Sequence, residues 1–398
     1  MTDSCLFPPS PETVVGYCTN VHAGTDLASI KSNLQQYAVP VSEQLGVDRL
    51  GVGLWLPDQA SVDLMREDAT QGFRDFLRSN GLNAFTINGF PFGNFHGDHV
   101  KQRVYLPTWA DPARLEYTKR LATILAALLD DDAAIGSIST LPIGWPDNPF
   151  AETRALDHDA AGRQFRELAD YLDSLQASTG KRIVVAIEPE PGCGLDTIDD
   201  MVEFFQRQLP EERHRRLITA CHDICHSAVM NEPQRDVIRR YAEAGIGIGK
   251  IQVSSAIVAD WRTIQTEDRE ATLRQLSEFA EDRYLHQTGC LHASGDFELA
   301  EDLPDLVKHT PVAALDEIDR WVIHFHVPIF LERFGHLTTS RDAVLDCLRA
   351  ITDPQIDAAF SGHLEVETYA WTVLPREMRR RGLAEDITSE IAWLNQQL

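Results

Sequence analysis

The feature that most restricts the fold of this chain is a regular alternation of short apolar runs with amphipathic helical stretches. Between many of the runs lie sequences with helical periodicity, such as GRQFRELADYLDSLQ, and several end at glycine, which often terminates a helix. Apolar runs that alternate with helices indicate a parallel sheet covered on both faces, and eight such units predict a (β/α)8 TIM barrel. The runs lie at 14–22, 48–57, 83–93, 135–145, 182–192, 216–226, 247–256 and 363–371.

A doubly wound open sheet is the rival architecture. It would place a glycine-rich phosphate loop after the first strand, but TNVHAGTD contains neither G-x-G-x-x-G nor a Walker lysine. We therefore predict a single TIM-barrel domain over 1–398. A long stretch between the seventh and eighth runs contains a further apolar run, WVIHFHVPIF (321–330). We expect residues 257–340 to form an insert or lid at the barrel mouth, or to add a strand beside it.

Net charge and cysteine usage restrict the partners and the location. A net charge of −25 would repel phosphate backbones and anionic membranes, so we expect neither nucleic acid nor membrane insertion. The start MTDSCLFPPSPETVV lacks the basic and apolar regions of a signal peptide. Seven cysteines without a C-x-x-C pair favour reduced thiols and a cytoplasmic location. The expected partner is a small-molecule substrate, and a homo-oligomer is left open.

Carboxylates stand at the predicted C-terminal ends of several strands, where TIM barrels place their functional residues. Glu188 follows VVAI, Asp223 follows RLITACH, and Glu367 follows LEV. Burying a carboxylate is costly unless a partner compensates its charge, and a divalent cation is the usual partner of several carboxylates. Imidazole or carboxamide groups can complete the shell of such an ion.

The hexapeptide CHDICH (221–226) has the composition of a zinc knuckle, but no second Cys or His pair stands at a suitable spacing nearby. The preceding RLITA is a predicted strand, and strand alternation puts His222 and Asp223 on opposite faces. The hexapeptide is therefore expected to supply two functional residues, Asp223 at the strand end and His226 in a turn. We expect the next helix to begin only near MNEPQRDVIRRYAEAG.

The series IEPEPG, HDICH, KIQVS and LEVETY resembles the metal-binding series of the xylose isomerase-like TIM-barrel superfamily. That superfamily includes sugar epimerases, inosose and dehydroshikimate dehydratases, and endonuclease IV-type nucleases. The resemblance implies a divalent ion (Mn, Mg, Co or Zn) bound by Glu188, Asp223, Gln252 and Glu367. It implies catalytic roles for Glu188, His226 and Glu367. His326 would replace Gln252 as the seventh-strand ligand if WVIHFHVP is the seventh strand.

A narrower likeness, carried by YCTNVHAG, NGFPFGNFH, HFHVPIF and LEVETYAW, is to EboE-type metabolite-traffic proteins. The resemblances imply a metal-dependent isomerase or epimerase that acts on a sugar-like or cyclic polyol metabolite by enediolate-type proton transfer. A dehydratase of the dehydroshikimate or inosose type and a non-catalytic metabolite-binding protein are the alternatives. The net charge disfavours a nuclease. The expected substrate contacts are His22, Asn88, His96, Lys101, Trp145 and His326.

Overall fold

A computed structural model of the chain describes residues 6–7, 13–94, 96–97, 100–153, 155–367 and 382–398. The strands are β1 (Val14–Cys18), β2 (Leu50–Trp55), β3 (Leu82–Asn88), β4 (Ile135–Thr140), β5 (Arg182–Ile187), β6 (Ile218–Asp223), β7 (Ile248–Val253), β8 (Ile257–Asp260), β9 (Thr288–His292), β10 (Phe297–Ala300), β11 (Ile318–Ile323), β12 (Arg333–Phe334), β13 (Leu337–Thr339) and β14 (His363–Val366).

The predicted barrel is confirmed. Eight parallel strands close in the order β1-β14-β7-β6-β5-β4-β3-β2, so each of the eight apolar runs contributes one strand. The first strand is shorter than its run, because residues Thr19–Val21 form a 3-10 helix. The eighth ends at Val366, and positions 368–371 of its run lie outside the described residues.

Helices cover the outside of the barrel, and local sequence fixes where they begin and end. Asp157 caps the longest one through Ala160 N, and Gly180 ends it in the left-handed conformation (φ 73°). The helices are α1 (Leu27–Asn33), α2 (Val39–Leu45), α3 (Asp58–Leu64), α4 (Ala69–Ser79), α5 (Pro112–Leu128), α6 (His158–Thr179), α7 (Ile198–Gln208), α8 (Glu212–Arg215), α9 (Ile224–Val229), α10 (Gln234–Glu243), α11 (Arg269–Ser277), α12 (Leu303–His309), α13 (Arg341–Ile351) and α14 (Leu383–Asn395).

Shorter helical segments complete the architecture. A π-helical segment, Leu34–Ala38, joins α1 to α2. Besides Thr19–Val21, 3-10 helices occupy Lys101–Tyr105, Thr266–Asp268 and Val312–Glu317. Within the described ranges, no helix has the length and apolarity needed to cross a membrane.

The chain between β7 and β14 forms a second, antiparallel sheet with the order β10-β9-β11-β8-β13-β12. It has its own apolar core, in which the rings of Trp261 and Trp321 pack edge to face at 5.0 Å. It lies close to the barrel, since a Cβ atom on Gly289 would fall 1.8 Å from Val229 O. This sheet occupies the region 257–340; that it acts as a lid stays a prediction.

The run WVIHFHVPIF is not a barrel strand. Its first residues belong to β11, which pairs antiparallel with β8 and β9. The seventh barrel position is filled by β7, and the idea that WVIHFHVP is the seventh strand is therefore wrong. The segment after β11 instead crosses towards the barrel: Val327 N donates to Ser255 O (3.0 Å), and His326 Nδ1 donates to Glu367 O (3.0 Å).

A polar layer fills the barrel interior beneath the C-terminal ends of the strands. Lys250 and Glu365 are fully buried there and form an ion pair. Asn88 Nδ2 donates to both oxygens of Glu365 (3.0 and 3.1 Å), while Asn88 Oδ1 accepts from Lys250 Nζ and Gln252 Nε2 (both 2.9 Å). Glycine makes room for this layer, because a Cβ atom on Gly53 would lie 1.3 Å from Glu365 Oε1.

Candidate metal and catalytic site

Three carboxylates from different strands meet at the C-terminal mouth of the barrel. Glu188 directly follows β5, Asp223 ends β6, and Glu367 directly follows β14. All three are buried, and one oxygen of each lies within 4.8 Å of the others. The structure thus brings together three of the four residues expected to bind metal, because parallel strands in a closed barrel end at the same rim.

The electrostatics of this acid trio show that it cannot easily carry three negative charges. Burial, with Asp223 and Glu190, raises the pKa of Glu188 to about 7 against the opposing effects of His226 and Lys250. Burial and the neighbouring carboxylates Glu188 and Asp223 raise the pKa of Glu367 well above its usual range. Asp223 ionises more readily than Glu188 or Glu367. Burial opposes its ionisation, but His226 and His326 lower its pKa.

Unpartnered oxygen atoms at this site fit a bound cation. Among the described residues, Glu188 Oε2 and Asp223 Oδ2 are buried without a hydrogen-bond partner, and so is Gln252 Oε1. Buried oxygens of this kind are costly unless a cation or donor compensates them. A donor set of carboxylate and carboxamide oxygens suits Mg²⁺ or Mn²⁺. The residues present therefore fit a divalent ion.

Both candidates for the seventh-strand ligand lie near the trio. Gln252 stands beside Asp223 on β6 and Glu365 on β14 in the sheet register. Its Nε2 atom donates to Asn88 Oδ1, and its Oε1 atom is therefore the one that could bind a cation. His326 comes from the segment after β11, and one of its nitrogens lies within 4.8 Å of ligand atoms of Asp223 and His226. Gln252 is the residue on the seventh strand, and His326 approaches the trio from outside the barrel sheet.

His226 is placed for proton transfer at the edge of the trio. Its Nδ1 atom donates to Pro189 O (2.7 Å), and Nε2 lies 3.2 Å from Glu190 Oε2 and 3.9 Å from Asp223 Oδ2. Burial would lower its pKa, but Asp223, Glu190 and Glu188 raise it to about 9. His226 lies in helix α9, which begins directly after Asp223. The expectation of a turn here, with the helix starting later, is wrong, because Asp223 caps that helix through His226 N (3.0 Å).

The interpretation of CHDICH otherwise agrees with the structure. His222 points away from the site, where its Nε2 lies 2.7 Å from Gln234 Oε1 and its ring contacts Tyr241 edge to face. Asp223 faces the opposite way, into the acid trio.

A cavity of about 600 Å³, part of it open to solvent, is lined by Glu188 and Glu367 of the trio but not by Asp223. One wall is polar and carries Glu188, Glu190, His226 and Glu367. A second, largely apolar wall combines the loop after β3 with the segment before β9. Its residues are Phe90, Pro91, Val100, Val104, Tyr105, Tyr284 and Leu285, and the remaining lining residues are Asn20, Asn88, Lys101, His324 and His326.

Three of the six expected substrate contacts, Asn88, Lys101 and His326, line this cavity. The side chain of Asn88 already forms hydrogen bonds with Glu365, Lys250 and Gln252 in the polar layer below. Lys101 lies in the 3-10 helix after β3, and its Nζ forms an ion pair with Asp302 Oδ2 of the second sheet region (2.7 Å). This pair joins the two parts of the chain that form the apolar wall.

The other three expected contacts, His22, His96 and Trp145, are not among the described residues that line the cavity. His22 stacks on Tyr37 (4.4 Å between ring centroids), and burial lowers its pKa to about 3. His96 Nε2 donates to Asn20 O (2.7 Å), so it touches a lining residue. Trp145 stacks on Tyr105 at 5.0 Å and supports the apolar wall from behind. Their contact with substrate stays a prediction.

Sequence reasoning left Glu190, Tyr105 and His324 out of the expected site. Glu190 Oε1 accepts from Tyr105 Oη (2.9 Å) and Gln287 Nε2 (3.1 Å), and its other oxygen faces His226. The signal for Glu190 was present, because it stands two residues after Glu188 in IEPEPG. His324 had the same signal, two residues before His326 in HFHVP. No local pattern marks Tyr105.

No family model matches the chain, and no curated protein matches it either. Among solved structures, a xylose isomerase-like TIM-barrel protein from Mycobacterium smegmatis, in complex with magnesium, aligns over 97% of this chain and 96% of its own, with a TM-score of 0.51 and 11% identity. The fold is that of the xylose isomerase-like TIM barrels. At this identity the likeness concerns the fold alone.

Other xylose isomerase-like barrels align less well. The probable 3-DHS dehydratase AsbF of Bacillus anthracis, involved in petrobactin synthesis, covers 96% of this chain and 98% of its own at 12% identity, with a TM-score of 0.44. D-allulose 3-epimerase from Methylomonas sp., in complex with D-allulose, covers 70% and 84% at 15% identity, with a TM-score of 0.39. The narrower likeness to EboE-type proteins and the cytoplasmic location stay predictions.

An acidic group behind Asp223 gives a prediction about stability and pH. Burial raises the pKa of Glu232 to about 7, helped by Asp196 and Asp199. A carboxyl group with a raised pKa stabilises the fold below its unfolded pKa, and that contribution is lost as pH rises through about 7. Glutamine does not ionise, so only wild type loses this contribution. The free energy of unfolding of Glu232→Gln minus that of wild type should therefore increase by about 1–2 kcal/mol between about pH 5.5 and pH 8.5.

Urea denaturation at several pH values measures this difference. Glu232 Oε1 accepts from Ile198 N (3.0 Å), and glutamine keeps that acceptor. The matched control is Glu278→Gln, at an exposed position on the second sheet side, which we expect to stay within about 0.5 kcal/mol of wild type throughout. Parallel pH profiles for Glu232→Gln and wild type would contradict the prediction.

Proposed function

We propose that the protein is a divalent-metal-dependent isomerase or epimerase that moves a proton at the carbon next to a carbonyl group of a sugar-like or cyclic polyol substrate. The observation that carries the proposal is the buried acid trio with its unpartnered oxygens, next to His226 and open to a cavity. The magnesium in the mycobacterial protein of the same fold is compatible with it.

The proposed roles follow from position and charge. Glu188, Asp223 and Glu367 hold the ion, with Gln252 or His326 as a further ligand. When bound, a divalent ion in such a site stabilises negative charge on substrate oxygens. Glu188 is the carboxylate that we assign to accept a proton from the substrate carbon and return it. Glu367, the other catalytic acid, faces Asn20 Nδ2 (3.3 Å), which orients its carboxyl group.

The apolar wall holds the substrate against the acids and limits the entry of water. Tyr105, tied to Glu190, and the Lys101–Asp302 pair set the distance between the two walls. The one lysine in the described lining is paired, and so the site is better suited to an uncharged polyol or cyclic ketone than to a phosphate ester.

A dehydratase is the second candidate, and the state of His226 favours it. In the metal-free protein the surrounding carboxylates raise the pKa of His226 to about 9, and its Nε2 atom, 3.2 Å from Glu190 Oε2, is placed to donate a proton to a leaving hydroxyl group. The same carboxylates would take the proton from the neighbouring carbon. Isomerisation and water elimination therefore use one set of residues and differ in the fate of the substrate.

Solvent exchange tests both candidates. The protein is loaded with Mn²⁺ and incubated in D₂O with a ketohexose, an inosose or dehydroshikimate, and NMR follows deuterium at the carbon next to the carbonyl group. Deuterium incorporation that needs the metal supports the isomerase, and release of water supports the dehydratase. Binding of these compounds without exchange or elimination would show a non-catalytic carrier, and absence of metal uptake would overturn the proposal altogether.

A further inference from the structure

The side chain of Gln252, on the seventh barrel strand, ends in two atoms of similar size and opposite chemistry. The amide nitrogen donates hydrogen bonds, whereas the amide oxygen accepts them and is the atom that binds a hard cation. A cation site that uses Gln252 therefore requires that the oxygen, and not the nitrogen, faces the acid trio. The polar layer beneath the trio contains the groups that decide this orientation.

The orientation of Asn88 follows from the charges of its two neighbours. The Lys250 ammonium lies 2.9 Å from one end of the Asn88 carboxamide, and the Glu365 carboxylate oxygens lie 3.0 and 3.1 Å from the other end. An ammonium group can only donate a hydrogen bond, and an ionised carboxylate can only accept one. The end beside Lys250 is therefore Oδ1, and the end beside Glu365 is Nδ2. The buried ion pair thus excludes the flipped carboxamide.

The orientation of Gln252 follows in turn from that of Asn88. One end of the Gln252 carboxamide lies 2.9 Å from Asn88 Oδ1. Because that oxygen can only accept, the atom that faces it is Gln252 Nε2. Ser139 Oγ on β4 also donates to Asn88 Oδ1 (3.0 Å), which places it among donors from two strands. Gln252 Oε1 is the end that remains, and among the described residues it has no hydrogen-bond partner.

The position and burial of Gln252 give this orientation a consequence for metal binding. Gln252 pairs with Asp223 in the register of β6 and β7, and with Glu365 in the register of β7 and β14. Asn88, Lys250, Gln252 and Glu365 are at most 1% exposed, so bulk water does not compete for their hydrogen bonds. A buried oxygen without a donor costs free energy, which a cation offsets.

We propose that Asn88, fixed by the Lys250–Glu365 ion pair, is a positioning residue that keeps Gln252 Oε1 turned towards the acid trio as a ligand for an oxygen-preferring divalent cation. This inference rests on the metal site of the proposed function and holds for either reaction. Residues that orient a metal ligand typically contribute about 10–100-fold to metal affinity. An amide oxygen at this position, in place of an imidazole nitrogen, favours Mg²⁺ or Mn²⁺ over Zn²⁺.

A double-mutant cycle on Mn²⁺ affinity tests the role of Asn88. Isothermal titration of the full chain measures the dissociation constant for wild type, Asn88→Ala, Gln252→Ala and the double variant. We expect each single variant to bind Mn²⁺ about 10–100-fold more weakly than wild type. Because Asn88 acts through Gln252, its replacement should change the affinity by less than about twofold once residue 252 is alanine.

The matched control is Asn148→Ala. Asn148 is also fully buried and uses its carboxamide twice, donating to Gln102 O (2.7 Å) and accepting from Phe150 N (3.0 Å), but it contacts neither the polar layer nor the trio. We expect this variant to keep the Mn²⁺ affinity of wild type. A general loss of packing would weaken binding in Asn88→Ala by the same factor whether or not Gln252 is present.

A crystal structure of the wild-type protein with Mg²⁺ gives a second readout that needs no variant. We expect Gln252 Oε1 at about 2.1 Å from the ion, with Nε2 still bonded to Asn88. An ion held by the trio without Gln252, or independent effects of the two alanine substitutions, would overturn the role of Asn88 and leave the proposed function standing. Failure of the wild-type protein to bind either Mn²⁺ or Mg²⁺ would overturn both.

Discussion

Replacing Lys250 with methionine is expected to lower the free energy of unfolding by about 3–5 kcal/mol, because it leaves a carboxylate buried without its counter-ion. The Lys250 ammonium is fully buried inside the barrel, pairs with Glu365 and donates to Asn88 Oδ1 (2.9 Å). Burial lowers the pKa of Lys250, but Glu365, Cys221 and Cys18 together outweigh burial and raise it above its ordinary value. Among the described residues, Asn88 Nδ2 is then the remaining hydrogen-bond donor to the Glu365 carboxylate. Chemical denaturation at neutral pH measures the loss.

The double variant Lys250→Met/Glu365→Gln separates lost charge from lost packing. Removing both charges relieves the uncompensated carboxylate, and we expect it to recover at least about half of the loss. An exposed ion pair serves as the control: Arg239→Met, beside Asp236 and Glu243, should cost less than about 1 kcal/mol. A double variant as unstable as the single one would show that the methionine side chain, and not the buried charge, causes the effect.

The barrel and the acid trio could be predicted from sequence because both follow from short-range patterns. Eight apolar runs with intervening helices define the barrel, and a closed parallel barrel brings all strand ends to one rim. Glu188, Asp223 and Glu367 each stand at or just after a strand end, and their meeting needs no further information. Strand alternation was enough to separate His222 from Asp223. The inward-facing Lys250 carried a similar signal, two residues before Gln252.

The second sheet and the apolar wall could not be predicted, because they depend on pairings between distant segments. The run WVIHFHVPIF reads as a buried strand, but nothing in it distinguishes a barrel strand from one that pairs antiparallel with β8 and β9. The positions of His324 and His326 depend on Gln287 and on the backbone of Glu367, which are far away in sequence. Lys101 was predicted to contact the substrate. Its ion-pair partner, Asp302, is far away in sequence, in the second sheet region, and the pair could not be inferred.

Replacing Glu188 with glutamine is expected to reduce metal-dependent exchange or turnover by about 10²–10⁴-fold, the range typical for loss of a general base. The variant also loses one charged ligand of the trio, and its affinity for Mn²⁺ should fall. Isothermal titration with Mn²⁺ and the deuterium exchange assay measure the two effects. Glu203→Gln, at an exposed position on α7, is the control and should alter neither.

The same substitution should have the opposite effect on the stability of the metal-free protein. A folded-state pKa of about 7 means that Glu188 stabilises the fold only while protonated, and that this contribution is lost as pH rises through 7. In chelator at about pH 8, the free energy of unfolding of Glu188→Gln, measured in urea, is therefore expected to exceed that of wild type by about 1–3 kcal/mol. With excess Mn²⁺ the order should reverse, because a bound ion stabilises only the protein that retains the trio. A variant that is less stable than wild type both in chelator and with excess Mn²⁺ would show that Glu188 is a structural residue and not a metal ligand.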